Sequence, residues 1–141
     1  MSKDNPWIVL VELVGISHLL QPPLTARLAR ALGLREAFAG LPDLASGVAQ
    51  NMALASVAIP TTLGVWLALH ADQAFTPGAV QHVAVLLGLF WTWRLLRQYQ
   101  LKAVWGAGRR GWWTVLTVIF ICQGPGLLAL LALGSRYEVH R

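Results

Sequence analysis

Residues 112–134 read WWTVLTVIFICQGPGLLALLALG, an apolar run that contains no charged side chain. A transmembrane helix needs about 20 consecutive, mostly apolar residues, so this run is long enough to cross a bilayer. Three further apolar blocks lie at about residues 7–20, 45–70 and 79–96. The sequence therefore predicts an all-α integral membrane protein in which four transmembrane helices form a compact bundle.

The composition of the whole chain agrees with this class. Of its 141 residues, 56% are hydrophobic and only 12% are charged, and the mean hydropathy is +0.57. Soluble domains carry about 25% charged residues, which a soluble bundle of this size would need on its outer helix faces. We expect one transmembrane domain over residues 1–141, with spans at about 6–21, 45–70, 79–98 and 112–134.

The lysine and arginine residues are unevenly distributed between the predicted loops. Positive charge accumulates on the cytoplasmic side of membrane proteins, which predicts cytoplasmic loops one and three, both termini outside, and a bacterial-type inner membrane. The net charge of +5 then reflects contact with anionic lipid rather than nucleic acid. Eight of the eleven basic residues lie in or near loops one and three: Arg27, Arg30, Arg35, Arg94, Arg97, Lys102, Arg109 and Arg110.

Aromatic residues and the first loop refine this topology. Tryptophan and tyrosine favour the headgroup level, so we expect Trp91, Trp93 and their aromatic neighbours to lie at the inner membrane boundary. After Pro22-Pro23, apolar residues recur at helical spacing beside Arg27 and Arg30. This pattern predicts a short amphipathic helix at the cytoplasmic interface, or alternatively a bent extension of the first span.

The apolar run of the fourth span is interrupted by Gln123-Gly124-Pro125-Gly126. Proline cannot donate to the carbonyl four residues earlier, so the helix should bend or open, and Gln123 or His18 should satisfy the freed carbonyl. At 1.5 Å rise per residue, both side chains lie about 16 Å from their interfacial tryptophans, near the midplane with Pro60 and Thr61. We expect the break to face the bundle interior, either as a close-packed kink or as a binding site.

Two ionisable residues of the first span have alternative interpretations. Glu12 is the only acid well inside a span, and such residues are costly in lipid and often functional. It is either a proton-linked or ligand-binding carboxylate, or a structural hydrogen-bonding group. His18 is either a ligand of haem or a metal, or an interior histidine that pairs with a polar neighbour such as Gln123.

Metal binding is a further hypothesis for the outer side. His70, Asp72 and His82, together with Glu12, offer imidazole and carboxylate groups that suit divalent metals, although their spacing follows no ligand motif. The alternative is that these histidines are merely interfacial. No cofactor is implied by a recognisable motif, and the single Cys122 has no intrachain partner.

Basic and small residues complete the candidate sites. Arg94 and Arg97 either extend to the cytoplasmic headgroups or bind an anionic lipid or substrate head together with Gln98. Gly47, Asn51 and Ala55, at four-residue spacing, allow close helix packing. Residues 106–111 match G-x-G-x-x-G, but no strand, helix and acidic residue accompany them as a dinucleotide site requires.

These patterns favour a non-enzymatic integral component: a scaffold, an oligomer, or a subunit of a larger membrane assembly, with a polar site between its helices. The partners would then be the lipid bilayer and other copies or subunits. The alternative is a small carrier or lipid-binding protein that uses Glu12 and the break at residues 123–126. A third possibility is a membrane enzyme that binds metal or haem through histidines.

Overall fold

The structure is a computed structural model that describes residues 5–100 and 110–139, which form helices and no strand. In these two ranges, two 3-10 turns and one π-helical turn interrupt or join the α-helices. The α-helices within the described residues are α1 (Pro6–Ser17), α2 (Gln21–Ala31), α3 (Leu34–Ala39), α4 (Asp43–Leu69), α5 (Ala79–Gln100), α6 (Arg110–Ile121) and α7 (Leu127–Val139).

Within the described residues, four helical segments are long and apolar enough to cross a membrane. We call them spans 1 to 4: Pro6–Ala31, Asp43–Leu69, Ala79–Gln100 and Gly111–Arg136. Span 1 joins α1 to α2, and span 4 joins α6 to α7. The predicted all-α class with four such helices is confirmed, and it is compatible with an integral membrane location.

Span 1 is longer than the sequence predicted, because the helix continues through Pro22-Pro23. The side chain of Asn5 caps its start by accepting a hydrogen bond from the Trp7 amide at 3.0 Å. A 3-10 turn at His18–Leu20 leads into α2, and the two prolines occupy its first turn, where an amide hydrogen is dispensable. Of the two alternatives, α2 is therefore an extension of the first span.

The interruption of span 4 is a π-helical turn at Cys122–Gly126. In such a turn each carbonyl pairs with the amide five residues later, so the Ile121 carbonyl can pair with Gly126 and does not require Pro125. A Cβ at Gly126 would lie 3.0 Å from the Ile121 oxygen, which explains the glycine there. The helix therefore widens around the proline, and neither His18 nor Gln123 satisfies the freed carbonyl as predicted.

Glycines bring the helices into close contact, as two pairs of spans show. On spans 1 and 2, Gly15 lies against Gly64, and the His18 ring covers Gly64 so closely that no Cβ would fit there. On spans 3 and 4, Gly124 lies against the backbone of Thr92, 2.7 Å from where its Cβ would be. Gly47, expected to pack closely, has no atom from outside its own stretch of helix within 4 Å of its Cβ position.

The spans differ in how much of each is covered by the rest of the chain. In their most apolar windows, 39% of span 4 is buried but only 17% of span 2. Span 4 is thus central and span 2 peripheral, with large exposed apolar side chains such as Leu44, Leu54 and Leu69. Residues 101–109, which belong to the predicted third loop, lie outside the described residues, as do Lys3, His140 and Arg141. The third loop therefore remains a prediction from the sequence.

We predict that Gly64→Ala destabilises the fold, because its methyl group would collide with His18 and separate spans 1 and 2. Such overpacking costs about 1–3 kcal/mol. Gly47→Ala is the matched control on the same helix; it has free space and should be neutral or stabilising by up to about 1 kcal/mol. Unfolding of both variants in mild detergent measures the difference, and equal stability would contradict this account of the packing.

Candidate functional site: a polar cluster and two clefts

His18 lies at the centre of the bundle and is completely buried. Its Nδ1 is 2.8 Å from the Val14 carbonyl oxygen, and its Nε2 accepts a hydrogen bond from the Trp91 indole at 2.8 Å. A carbonyl only accepts and an indole N–H only donates. Nδ1 must therefore carry the proton, so these two contacts together select the neutral Nδ1–H tautomer of His18.

Gln123, on the π-helical turn, is bound to span 1 through both ends of its amide. Its Oε1 accepts from Gln21 Nε2 at 2.7 Å, and its Nε2 donates to Ser17 Oγ at 2.9 Å. The Ser17 hydroxyl in turn donates to the Val14 carbonyl at 2.6 Å, the same oxygen that His18 contacts. We call the side chains of Ser17, His18, Gln21, Trp91 and Gln123 the polar cluster.

Local helix geometry explains why these residues meet. Ser17, His18 and Gln21 lie within one turn of span 1, where residues three apart share a face. The widened turn of span 4 places Gln123 inside, with 1% of its surface exposed. Span 2 contributes Thr61, whose hydroxyl is 3.4 Å from the His18 carbonyl oxygen, a long and weak hydrogen bond.

The arrangement limits the chemistry of the polar cluster. The one lone pair of neutral His18 already accepts from Trp91, so haem or a metal ion would have to displace the indole. Hydrogen bonds between helices stabilise membrane bundles, and here they join spans 1, 3 and 4. The cluster therefore acts as a satisfied structural network, and His18 pairs with Trp91, not with Gln123.

The remaining residues of the predicted intramembrane site lie elsewhere. Glu12 is exposed on the outer side of α1, and among the described residues it has no hydrogen-bonding or ionic partner. Pro125 is also exposed, although Gln123 and Gly124 beside it are buried. The structure thus brings His18, Thr61 and Gln123 together and leaves Glu12 and Pro125 outside the polar cluster.

The histidines proposed as metal ligands each contact their own helix turn. His70 Nδ1 lies 2.9 Å from the Trp66 carbonyl, and His82 Nδ1 lies 2.6 Å from the Gly78 carbonyl. Within residues 5–100 and 110–139, no three His, Cys, Asp or Glu side chains group as a metal site would require. The predicted outer metal site therefore has no support in the geometry of Glu12, His70 and His82.

The three predicted anion-binding residues have different surroundings. Gln98 is buried, and its amide nitrogen donates to the Trp113 carbonyl at 2.8 Å and to Thr117 Oγ1 at 2.7 Å. It thereby joins α5 to α6. Arg97 is exposed and donates to Gln100 at 2.9 Å. Arg94 is partly buried against aromatic rings, with no hydrogen bond or ion pair to any described residue.

Two clefts meet at Arg94. The first, which we call the α4–α5 cleft, has a volume of about 600 Å³ and an almost wholly apolar wall. The second, the α2–α5 cleft, has a volume of about 330 Å³ and contains Arg97 and Gln98 beside apolar residues of α2 and α6. Trp93 and Arg94 line both clefts, so they form the wall between them.

The position of Trp91 differs from the one predicted from the sequence. It was expected at the membrane boundary, but it is 1% exposed and belongs to the polar cluster. The helical spacing of the sequence does indicate an interior position for Trp91. It lies on the same helix face of α5 as three other buried residues, Ala84, Leu87 and Gly88. Ser17 and Gln21 were not predicted because residue counting gives the level of Gln123 beside span 1 but not the side chains of span 1 that it contacts.

Comparison with protein-family models, curated proteins and solved structures finds no match to this chain.

We predict that Trp91→Phe destabilises the protein by about 1–3 kcal/mol, because it leaves the buried Nε2 of His18 without a donor. Trp93→Phe is the matched control, since the same change occurs two residues away at a side chain that is 55% exposed. It should change stability by less than about 0.5 kcal/mol. Thermal unfolding of both variants in detergent tests this, and similar losses in the two would refute the role of the indole N–H.

Proposed function

We propose that this protein is a non-enzymatic integral membrane protein that binds a lipid-like amphiphile in the α4–α5 cleft. The observation that carries this proposal is the cleft itself, about 600 Å³ in volume, whose lining is almost wholly apolar and includes Arg94 as its last residue on α5. Ligand sites typically measure about 300–1,000 Å³ and combine apolar walls with a few polar groups. The cleft meets both criteria.

The sequence accounts for the space between α4 and α5. On α4, the small residues Ala53, Ala55 and Ser56 face the cleft, whereas α5 contributes the large side chains of Phe90 and Trp93. Small residues on one wall leave room that the opposite wall does not fill. Because α4 is also the least covered span, a molecule in the surrounding lipid would reach this cleft sideways.

The location and orientation are part of the proposal. The excess of arginine and lysine in loops one and three supports a cytoplasmic position for both loops, with the two termini outside. A bacterial-type inner membrane fits this arrangement. In that orientation Arg94 and Arg97, near the end of α5, lie toward the cytoplasmic leaflet, where anionic lipids attract basic residues.

The α4–α5 cleft can be tested with a phosphatidylcholine that carries a photoreactive acyl chain, using the full-length protein in nanodiscs. We expect labelling at Met52, Ile59 and Phe90 to exceed labelling at outer-face residues such as Val118. Ala55→Phe should reduce the cleft labels several-fold by filling the space. The matched control is Leu54→Phe, the same introduced side chain at a neighbour that is 69% exposed.

Uniform labelling over the cleft and the outer faces, unchanged by Ala55→Phe, would show that no acyl chain enters the cleft. Labelling of the cleft that falls equally in Leu54→Phe would also contradict the proposal.

A second candidate function, as a subunit of a membrane assembly, is favoured by the position of Glu12. This carboxylate lies on an exposed face of α1 beside Val9, Leu13 and Ile16. A charged side chain inside a membrane costs about 2.5–3.5 kcal/mol at the helix centre, which a donor from another chain would offset. The partner would be a second copy or another subunit whose membrane-spanning helix offers a basic or hydrogen-bond-donating group.

This second candidate predicts protein–protein crosslinks from α1 in native membranes. A photoreactive residue at Leu13 should crosslink to another chain, and Glu12→Leu should lower the yield by about tenfold, as expected for losing a hydrogen bond to a charged group. The same photoreactive residue at Val118 is the control position on α6, 55% exposed. Crosslinking from position 13 to lipid alone would exclude α1 as an interface.

A further inference from the structure

The Arg94 side chain lies against aromatic rings and leans toward the start of its helix, as helical side chains generally do. Its guanidinium carbon lies 5.9 Å from the ring centres of Phe90 and Trp91, which belong to the preceding turn of α5. It also lies 5.7 Å from the ring of Phe120 on α6. The side chain thus points back toward the start of α5, which in the proposed orientation is away from the cytoplasmic headgroups.

This placement leaves a positive charge without a counter-charge among the described residues. Arg94 has no hydrogen bond or ion pair with any residue in the described parts of the chain. Cation–π contact with the aromatic rings offsets part of the cost of burial, but the donors of the guanidinium group remain unused. Arginine presents these donors as a planar fork that suits phosphate and carboxylate, so the missing partner is an oxyanion.

The two clefts supply the other parts of a ligand site. Arg94 ends the apolar α4–α5 cleft and also lines the α2–α5 cleft, where Arg97 lies. An acyl chain in the first cleft would end beside Arg94, and its headgroup would then meet the second arginine. From the α4–α5 cleft to the α2–α5 cleft, the apolar space is thus followed first by Arg94, which has no partner among the described residues, and then by Arg97.

We propose that the ligand of the α4–α5 cleft is a membrane lipid with a net negative headgroup, held by Arg94 and Arg97. This inference rests on the proposed function and adds the charge of the ligand. One acyl chain occupies the α4–α5 cleft, and the oxyanion of the headgroup accepts hydrogen bonds from Arg94. A zwitterionic lipid binds more weakly, because its own cation competes with the arginines for the phosphate.

The test uses the delipidated full-length protein in a neutral detergent, with phosphatidylglycerol and phosphatidylcholine added in separate titrations. Binding is measured by native mass spectrometry and by the rise in unfolding temperature, since a ligand of the folded state stabilises it. We expect phosphatidylglycerol to bind about tenfold more tightly, equivalent to about 1.4 kcal/mol. Raising the salt concentration should weaken this preference.

Substitutions separate the role of Arg94 from that of general surface charge. Arg94→Gln should abolish the tenfold preference while phosphatidylcholine still binds, and Arg94→Lys should retain part of it. Arg27→Gln is the control, because it removes an equal charge from an exposed position that lines neither cleft. If Arg94→Gln does not fold, the comparison of the two lipids on the unaltered protein at low and high salt decides the question.

The outcomes distinguish failure of this inference from failure of the proposed function. Equal binding of the two lipids, with both abolished by Ala55→Phe, overturns the charge preference and leaves the cleft as a lipid site. No binding of either lipid overturns both proposals. Inorganic phosphate that stabilises the protein as strongly as phosphatidylglycerol would show a site for a free anion, which also overturns the inference.

Discussion

The hydrogen bond from the Trp91 indole to His18 is the contact on which the rest of the bundle depends. It joins spans 1 and 3 at a point where both side chains are buried, and it fixes which nitrogen of His18 carries the proton. That proton is then directed to the Val14 carbonyl, which also receives the hydroxyl of Ser17. Through Ser17 the network reaches Gln123 and thus span 4. Hydrogen bonds around one buried histidine therefore connect three helices.

The π-helical turn of span 4 serves this network. A regular α-helix through Pro125 would leave the Ile121 carbonyl unpaired, at considerable cost in an apolar environment. The wider turn accommodates the proline and also places Gln123 within hydrogen-bonding distance of Gln21 and Ser17. The run of residues 123–126, which weakens an α-helix, therefore contains the side chain that binds span 4 to span 1.

The polar groups of the molecule fall into two kinds. Those of the polar cluster satisfy one another, and their role is to hold the helices together. Arg94 and Glu12 lack such partners within the described chain, and both lie among apolar side chains. An unpaired charge in such a place is more informative about function than a satisfied one, because stability alone does not account for it. The proposed lipid and subunit contacts supply what each of these charges lacks.

By itself, the sequence determined the helical class, the number of long apolar helices and the similar level of His18 and Gln123 along their helices, because these depend on composition and on the fixed rise of a helix. Only the tertiary structure decided which partners those residues have, that Trp91 is interior, and that Glu12 faces outward. Depth along a helix follows from counting residues, but the direction in which a side chain points depends on how each helix is rotated against its neighbours. That rotation is set by contacts such as Gly15 with Gly64 and Gly124 with Thr92, which join residues far apart in the chain.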